Sequence, residues 1–119
     1  MKTFEIKDGV NLEEIQKMKP LLFVVLGYFL EFCQLHNLPA KITNIGSVFH
    51  VSVSTTHSEG RAFDASVKGW TKRDISDCIQ FLDDKVGYAG AYSLSDGKQR
   101  VAVYHDAGLG PHFHMQIRR

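Results

Sequence analysis

The spacing of apolar residues changes from helical to alternating at Gly87 of the 119-residue chain, and this change restricts the fold more than any other feature. Over residues 88–94, 100–105 and 113–118, apolar and polar residues alternate, which is the period of a half-buried strand. Before Gly87 the apolar residues instead recur at helical spacing, at Ile75, Cys78, Ile79, Leu82 and Val86. The chain therefore predicts helices and strands in separate blocks, as in an α+β domain.

Capping residues predict where the helices begin and end. Thr71 precedes the helix before Gly87 and has Asp74 three residues later, a weaker form of the capping box. Pro20 suits the first turn of a helix over residues 20–36. A shorter helix, capped by Asn11, is expected over residues 11–19.

Three further segments predict strands and turns. Residues 41–54 are rich in β-branched side chains and indicate one or two strands around a turn at Gly46, and residues 62–67 indicate another strand. The sequence Ser-Asp-Gly-Lys at 95–98 lies between two apolar runs, which is typical of a hairpin. We expect a single α+β domain over residues 1–119, with a small antiparallel sheet and helices packed on one side.

Composition excludes several functions. Basic and acidic side chains number 14 and 13 and are scattered, so no cluster for nucleic-acid binding is present. The most apolar stretch, residues 21–30, is far shorter than the roughly 20 residues of a membrane span. It also lacks a signal-peptide cleavage site. Cys33 and Cys78 lie in apolar helical patterns and are expected to be buried, reduced thiols.

A His-x-His sequence near the end of the chain is the first candidate for chemistry. His112 and His114 are two apart on an expected strand, so both side chains lie on the same face of the sheet. Phe113 and Met115 then point to the other face, toward the core. Two imidazoles on one face suit a metal site.

A second segment offers two more ligands. His57 and Asp64 are separated by seven positions, and Gly60 between them can adopt a positive φ and turn the chain sharply. Together with His114 they form a His, Asp, His set, which zinc accepts. Three protein ligands and an open fourth position are the arrangement of a catalytic zinc site. Such a zinc ion lowers the pKa of its water to about 7.

The segment His-x-x-Gly-Arg-Ala-Phe-Asp at 57–64 resembles the signature of a family of zinc peptidases. That family includes D-alanyl-D-alanine carboxypeptidases, D,D-dipeptidases and phage L-alanyl-D-glutamate endolysins, and the zinc-binding domain of hedgehog proteins is similar. The resemblance covers residues 41–116 and implies His57, Asp64 and His114 as zinc ligands. It also implies a hedgehog-like fold and a peptidoglycan peptide as substrate.

The chain departs from the family pattern at three places. Thr55 replaces a serine, and residues 42–47 lack the arginine that many members use to polarise a carbonyl. Pro111 occupies the position of the usual acidic base, so the resemblance implies His112 as the general base. His105 and Asp106 are alternative bases. Lower-ranked candidates for binding substrate are Thr55, Arg61, His50 and Asp106.

Three functions stay open from the sequence. The first is a zinc metallopeptidase, of the D,D-carboxypeptidase or L-alanyl-D-glutamate endopeptidase type. Without a signal peptide, it would be made in the cytoplasm and act on the cell wall after release or as a virion component. The second is a non-catalytic zinc-binding domain with a peptidase-like fold. The third is a structural or interaction protein with a degenerate site.

Overall fold

The structure, a computed structural model, describes residues 3–10, 12–45, 59–92, 97–106 and 110–119. Within these ranges the helices are α1 (Pro20–Leu35) and α2 (Lys72–Val86), and short 3-10 helices span Leu12–Lys17 and Gly87–Ala89. The strands are β1 (Phe4–Ile6), β2 (Ala40–Asn44), β3 (Ala62–Ser66), β4 (Ala91–Tyr92), β5 (Gln99–Arg100), β6 (Ala102–Asp106) and β7 (Pro111–Gln116).

The main sheet of the described chain has five strands in the order β1-β2-β3-β7-β6. β1 pairs in parallel with β2, whereas the other three pairings are antiparallel. The fold is α+β as expected, but the expectation of a small antiparallel sheet is wrong, because the sheet is five-stranded and mixed. The chain leaves β1, passes through α1 and returns to β2, and such a crossover brings strands together in parallel.

The two α-helices confirm their predicted boundaries closely. α1 begins at Pro20 and His36 caps its carboxyl end. Thr71 and Asp74 form a reciprocal capping box at the start of α2, with the Thr71 hydroxyl accepting from the Asp74 N–H at 3.0 Å. The predicted helix over residues 11–19 is instead a 3-10 helix, Leu12–Lys17. None of the helices in the described ranges has the length and apolarity to cross a membrane.

The segment after α2 differs from the expected meander. A 3-10 turn, Gly87–Ala89, replaces the first part of the strand expected over residues 88–94. Gly90 follows it and lies directly against the backbone of Arg100. β4 and β5 pair with each other and form a separate two-stranded sheet. The Gln116 amide donates to the carbonyls of Ala91 and Arg100, at 3.3 and 3.1 Å, and so joins this small sheet to β7.

One face of the main sheet carries the hydrophobic core. Phe63 on β3 and Phe113 on β7 are buried and contact Phe29 of α1, with ring centroids 6.3 and 6.4 Å apart. Trp70 is buried beside them, and its indole N–H donates to the Pro39 carbonyl. Side chains that alternate with these residues along β3 and β7 lie on the opposite face, which we call the polar face. The core also holds Cys33 and Cys78 as free, buried thiols, as predicted.

Gly60 holds the chain in a sharp turn immediately before β3. Its φ is +71°, in the left-handed region that the sequence predicts for it. A Cβ atom at this position would lie 2.1 Å from the Lys17 carbonyl oxygen, and the Gly60 carbonyl accepts from the Lys19 N–H at 2.9 Å. Gly60 therefore joins β3 to the start of α1 through a contact that only glycine permits.

We expect Gly60→Ala to lower the free energy of unfolding by more than about 3 kcal/mol, because it adds a steric clash to an unfavourable φ. Gly97→Ala is the matched control, since Gly97 has a φ of +68° and nothing within 4 Å of the added Cβ. Its cost should be about 1–2 kcal/mol. Denaturant unfolding of both variants measures the difference, and equal costs would contradict the close approach to Lys17.

Candidate metal centre

The pairing of β3 with β7 sets two predicted metal ligands side by side. Asp64 lies directly opposite His114 in the register, and the Asp64 Oδ1 and His114 Nδ1 atoms are 3.0 Å apart. Asp64 is only 4% exposed. A buried carboxylate is costly unless an opposite charge, a hydrogen-bond donor or a metal stabilises it, and the His114 imidazole supplies such a partner.

His112 lies one pleat away on the same face, opposite Ser66 in β3. Its Nδ1 is 2.9 Å from the Gly110 carbonyl oxygen. A carbonyl only accepts, so Nδ1 donates the proton in this hydrogen bond, and Nε2 is the ring nitrogen left to accept a proton. The turn before β7 therefore fixes the tautomer that a general base requires.

His105 on β6 is the third imidazole of the polar face. It pairs directly with His112 in the register, and its ring centroid is 5.4 Å from that of His112 and 6.3 Å from that of His114. Partial burial lowers the pKa of His105, and the neighbouring His112 and His114 rings lower it further, whereas Asp64 opposes the shift. These effects favour the neutral form of the His105 imidazole.

The chemistry of Asp64 and His114 fits two ligands of one zinc ion. Zinc accepts both carboxylate oxygen and imidazole nitrogen, and the Asp64 Oδ1 and His114 Nδ1 atoms already lie 3.0 Å apart. The third predicted ligand, His57, lies outside the described residues. Among the residues that are described, no three His, Cys, Asp or Glu side chains form a group able to hold a metal.

Arg61, a candidate for binding substrate, is buried on the core side of β3. Its Nη1 donates to the Ile117 carbonyl at 2.8 Å, and its Nε donates to a Glu59 carboxylate oxygen at 2.7 Å. Glu59 also binds Arg119 at 3.0 Å, and the Arg61 hydrogen bond is the main cause that lowers the pKa of Glu59. The Arg61 guanidinium thus connects the turn that precedes β3 to the last residues of the chain.

The other predicted residues have varied positions. Asp106 pairs with Pro111 at the end of the β6–β7 hairpin where the connecting residues 107–110 begin, and alternation sets it on the face opposite His105. Tyr104 is half-exposed and contacts Phe113 edge-on. Several predictions fall outside the described residues: Thr55, His50, the turn at Gly46, the Asn11 cap, and Ser95 and Asp96 of the hairpin turn.

Two residues of the polar face are hard to identify as such from the sequence. Nothing in the sequence singles out Ser66, and His105 is only an alternative base there. Alternation along β6 indicates the face of His105 once β6 is known to lie beside β7, but that adjacency depends on the register between strands. Comparison of the chain with protein-family models, with curated proteins and with solved structures gives no match.

We expect Arg61→Ala to lower the free energy of unfolding by about 1–3 kcal/mol, because it removes hydrogen bonds that hold two chain segments together. Arg73→Ala is the control, since the Arg73 side chain is exposed and its ion pair with Asp77 is 3.6 Å long. That change should cost less than about 1 kcal/mol. An Arg61 variant of unchanged stability would contradict the structural role.

Proposed function

We propose that the chain is a zinc-dependent peptidase that cleaves bacterial cell-wall peptides containing D-amino acids. In this proposal His57, Asp64 and His114 hold the zinc ion, and His112 is the general base. The fold is proposed to be that of the hedgehog and D-alanyl-D-alanine peptidase group. Release through lysis, or carriage in a virion, would bring the protein to the wall.

The observation that carries the proposal is the Asp64–His114 contact beside His112 on one face of the sheet. A carboxylate buried to this degree next to one imidazole, with two more imidazoles adjacent, is more than a packing interaction requires. The same residues occupy the ligand and base positions of the signature that residues 57–64 resemble. Chemistry and sequence pattern therefore support the same assignment.

The chain's own groups provide the base and orient it. His112 keeps its Nε2 lone pair available because its Nδ1 proton is held by the Gly110 carbonyl. It can take a proton from water and later return it to the leaving amine. Zinc held by the three ligands would supply Lewis-acid chemistry, acidifying water and polarising the scissile carbonyl. His105, whose ring centroid is 5.4 Å from that of His112, is the alternative base.

A non-catalytic zinc-binding domain is the second candidate, and one observation favours it. The arginine of the signature segment, Arg61, is bound to Glu59 and to the Ile117 carbonyl on the core side of the sheet. Oxyanion stabilisation would then depend on the metal and the imidazoles alone, and the loss of one donor can cost about 10²–10³ in rate. The two candidates share the metal site and differ in turnover.

We expect one zinc ion per chain after purification without chelators, and none in His114→Ala or Asp64→Ala. A ligand that binds only the folded chain stabilises it by about 2.7 kcal/mol when its free concentration is 100 times its Kd. Added zinc should therefore raise the melting temperature of the wild type. His36→Gln is the control, since His36 caps α1 and stacks on Phe32. A wild-type chain that contains no zinc after this purification would contradict the proposal.

Turnover separates the two candidates. We expect the wild type to release peptides from purified peptidoglycan, and His112→Gln to retain zinc while its rate falls about 10²–10⁴-fold through loss of the base. Mass spectrometry of the products would identify the bond that is cut. Zinc bound at full occupancy with no product from any wall peptide would support the non-catalytic domain instead.

A further inference from the structure

Helix α1 presents an apolar face to solvent as well as to the core. Its 16 residues contain a single charged side chain, Glu31. Phe23 and Val24 are 44% and 41% exposed, and on the same side a Cβ atom added to Gly27 would meet nothing within 4 Å. A helix that is apolar all round is normally covered on all sides, so this outer face needs a partner.

A groove extends this face at the amino-terminal end of α1. It has a volume of about 560 Å³. The apolar floor of the groove continues the exposed outer face of α1, and basic side chains surround the groove. The lining residues are Lys19, Pro20, Leu21, Val24, Arg61, Ile117, Arg118 and Arg119.

The charges at the two ends of the exposed outer face of α1 are opposite in sign. Lys19, Arg118 and Arg119 lie at the amino-terminal end, and Glu31 is exposed near the carboxyl end. Within the described part of the chain neither Lys19 nor Glu31 has an ion-pair partner. The two residues are 12 positions apart, which is about 18 Å along a helix.

We propose that this face binds a second copy of the chain through antiparallel packing of the two α1 helices. A two-fold axis between Val24 and Gly27 sets each Val24 against the Gly27 of the second copy, where the missing side chain allows close approach. The same axis brings each Glu31 to the basic end of the other helix. The surface is thus complementary to itself, as an isologous dimer requires.

This inference is independent of the proposed peptidase activity, because α1 packs on the face of the sheet opposite Asp64 and His114. The experiment uses the full chain in sedimentation velocity over a concentration series. We expect a reversible monomer–dimer equilibrium in the wild type. Val24→Asp should abolish the dimer, because it would bury a charge against Gly27 of the second copy.

Charge reversal tests the register. Glu31→Lys and Lys19→Glu should each weaken the dimer about tenfold, since every change replaces two attractive pairs with repulsive ones. The double variant should recover wild-type affinity. Ser76→Lys, on the exposed side of α2, is the control and should change nothing. All of these positions are exposed, and circular dichroism checks that each variant is folded.

Three results would overturn the proposal. One is a wild-type chain that stays monomeric at every concentration. Another is a dimer that Val24→Asp leaves intact, and the third is a double variant weaker than either single one. A monomer that instead sediments with vesicles of anionic lipid would assign the apolar face and its basic groove to a membrane surface.

Discussion

The antiparallel pairing of β3 with β7 is the interaction on which the rest of the structure depends. It joins two segments about 50 residues apart and sets Asp64 against His114. The same register buries Phe63 and Phe113 on the other side of the sheet, where both contact Phe29 of α1. A shift of this register by one residue would turn the core aromatic residues and the Asp64–His114 pair to the wrong faces of the sheet. The same register therefore specifies both the core and the candidate site.

The segment from Gly60 to Asp64 contributes to folding as well as to the candidate site. Gly60 makes a turn that no other residue can make against Lys17, and Arg61 binds the carbonyl of Ile117. Ala62 is fully buried, and Phe63 belongs to the core. Asp64 is the member that reaches the polar face. This sequence pattern therefore indicates a buried turn and strand that hold one carboxylate in place. The chemistry of that carboxylate depends on the groups around it.

Local patterns predict the parts of the fold that local interactions determine. The capping box at Thr71, the start of α1 at Pro20 and the two faces of β7 all depend on residues within a few positions of each other. The sequence does not predict β1, because three residues show no periodicity. Its parallel pairing, and the separation of β4 and β5 into their own sheet, depend on contacts between distant segments. The place of His105 beside His112 requires the same long-range register.

The two faces of the main sheet carry different kinds of side chain. One side holds the helices and aromatic core, and the other holds Asp64 with the three imidazoles of His105, His112 and His114. We propose that this polar face holds a zinc ion. Anomalous X-ray scattering at the zinc edge, from crystals of chain purified without chelator, tests it most directly. We expect one peak about 2.0–2.2 Å from both the Asp64 carboxylate and the His114 imidazole. No peak there, or zinc bound elsewhere, would contradict it.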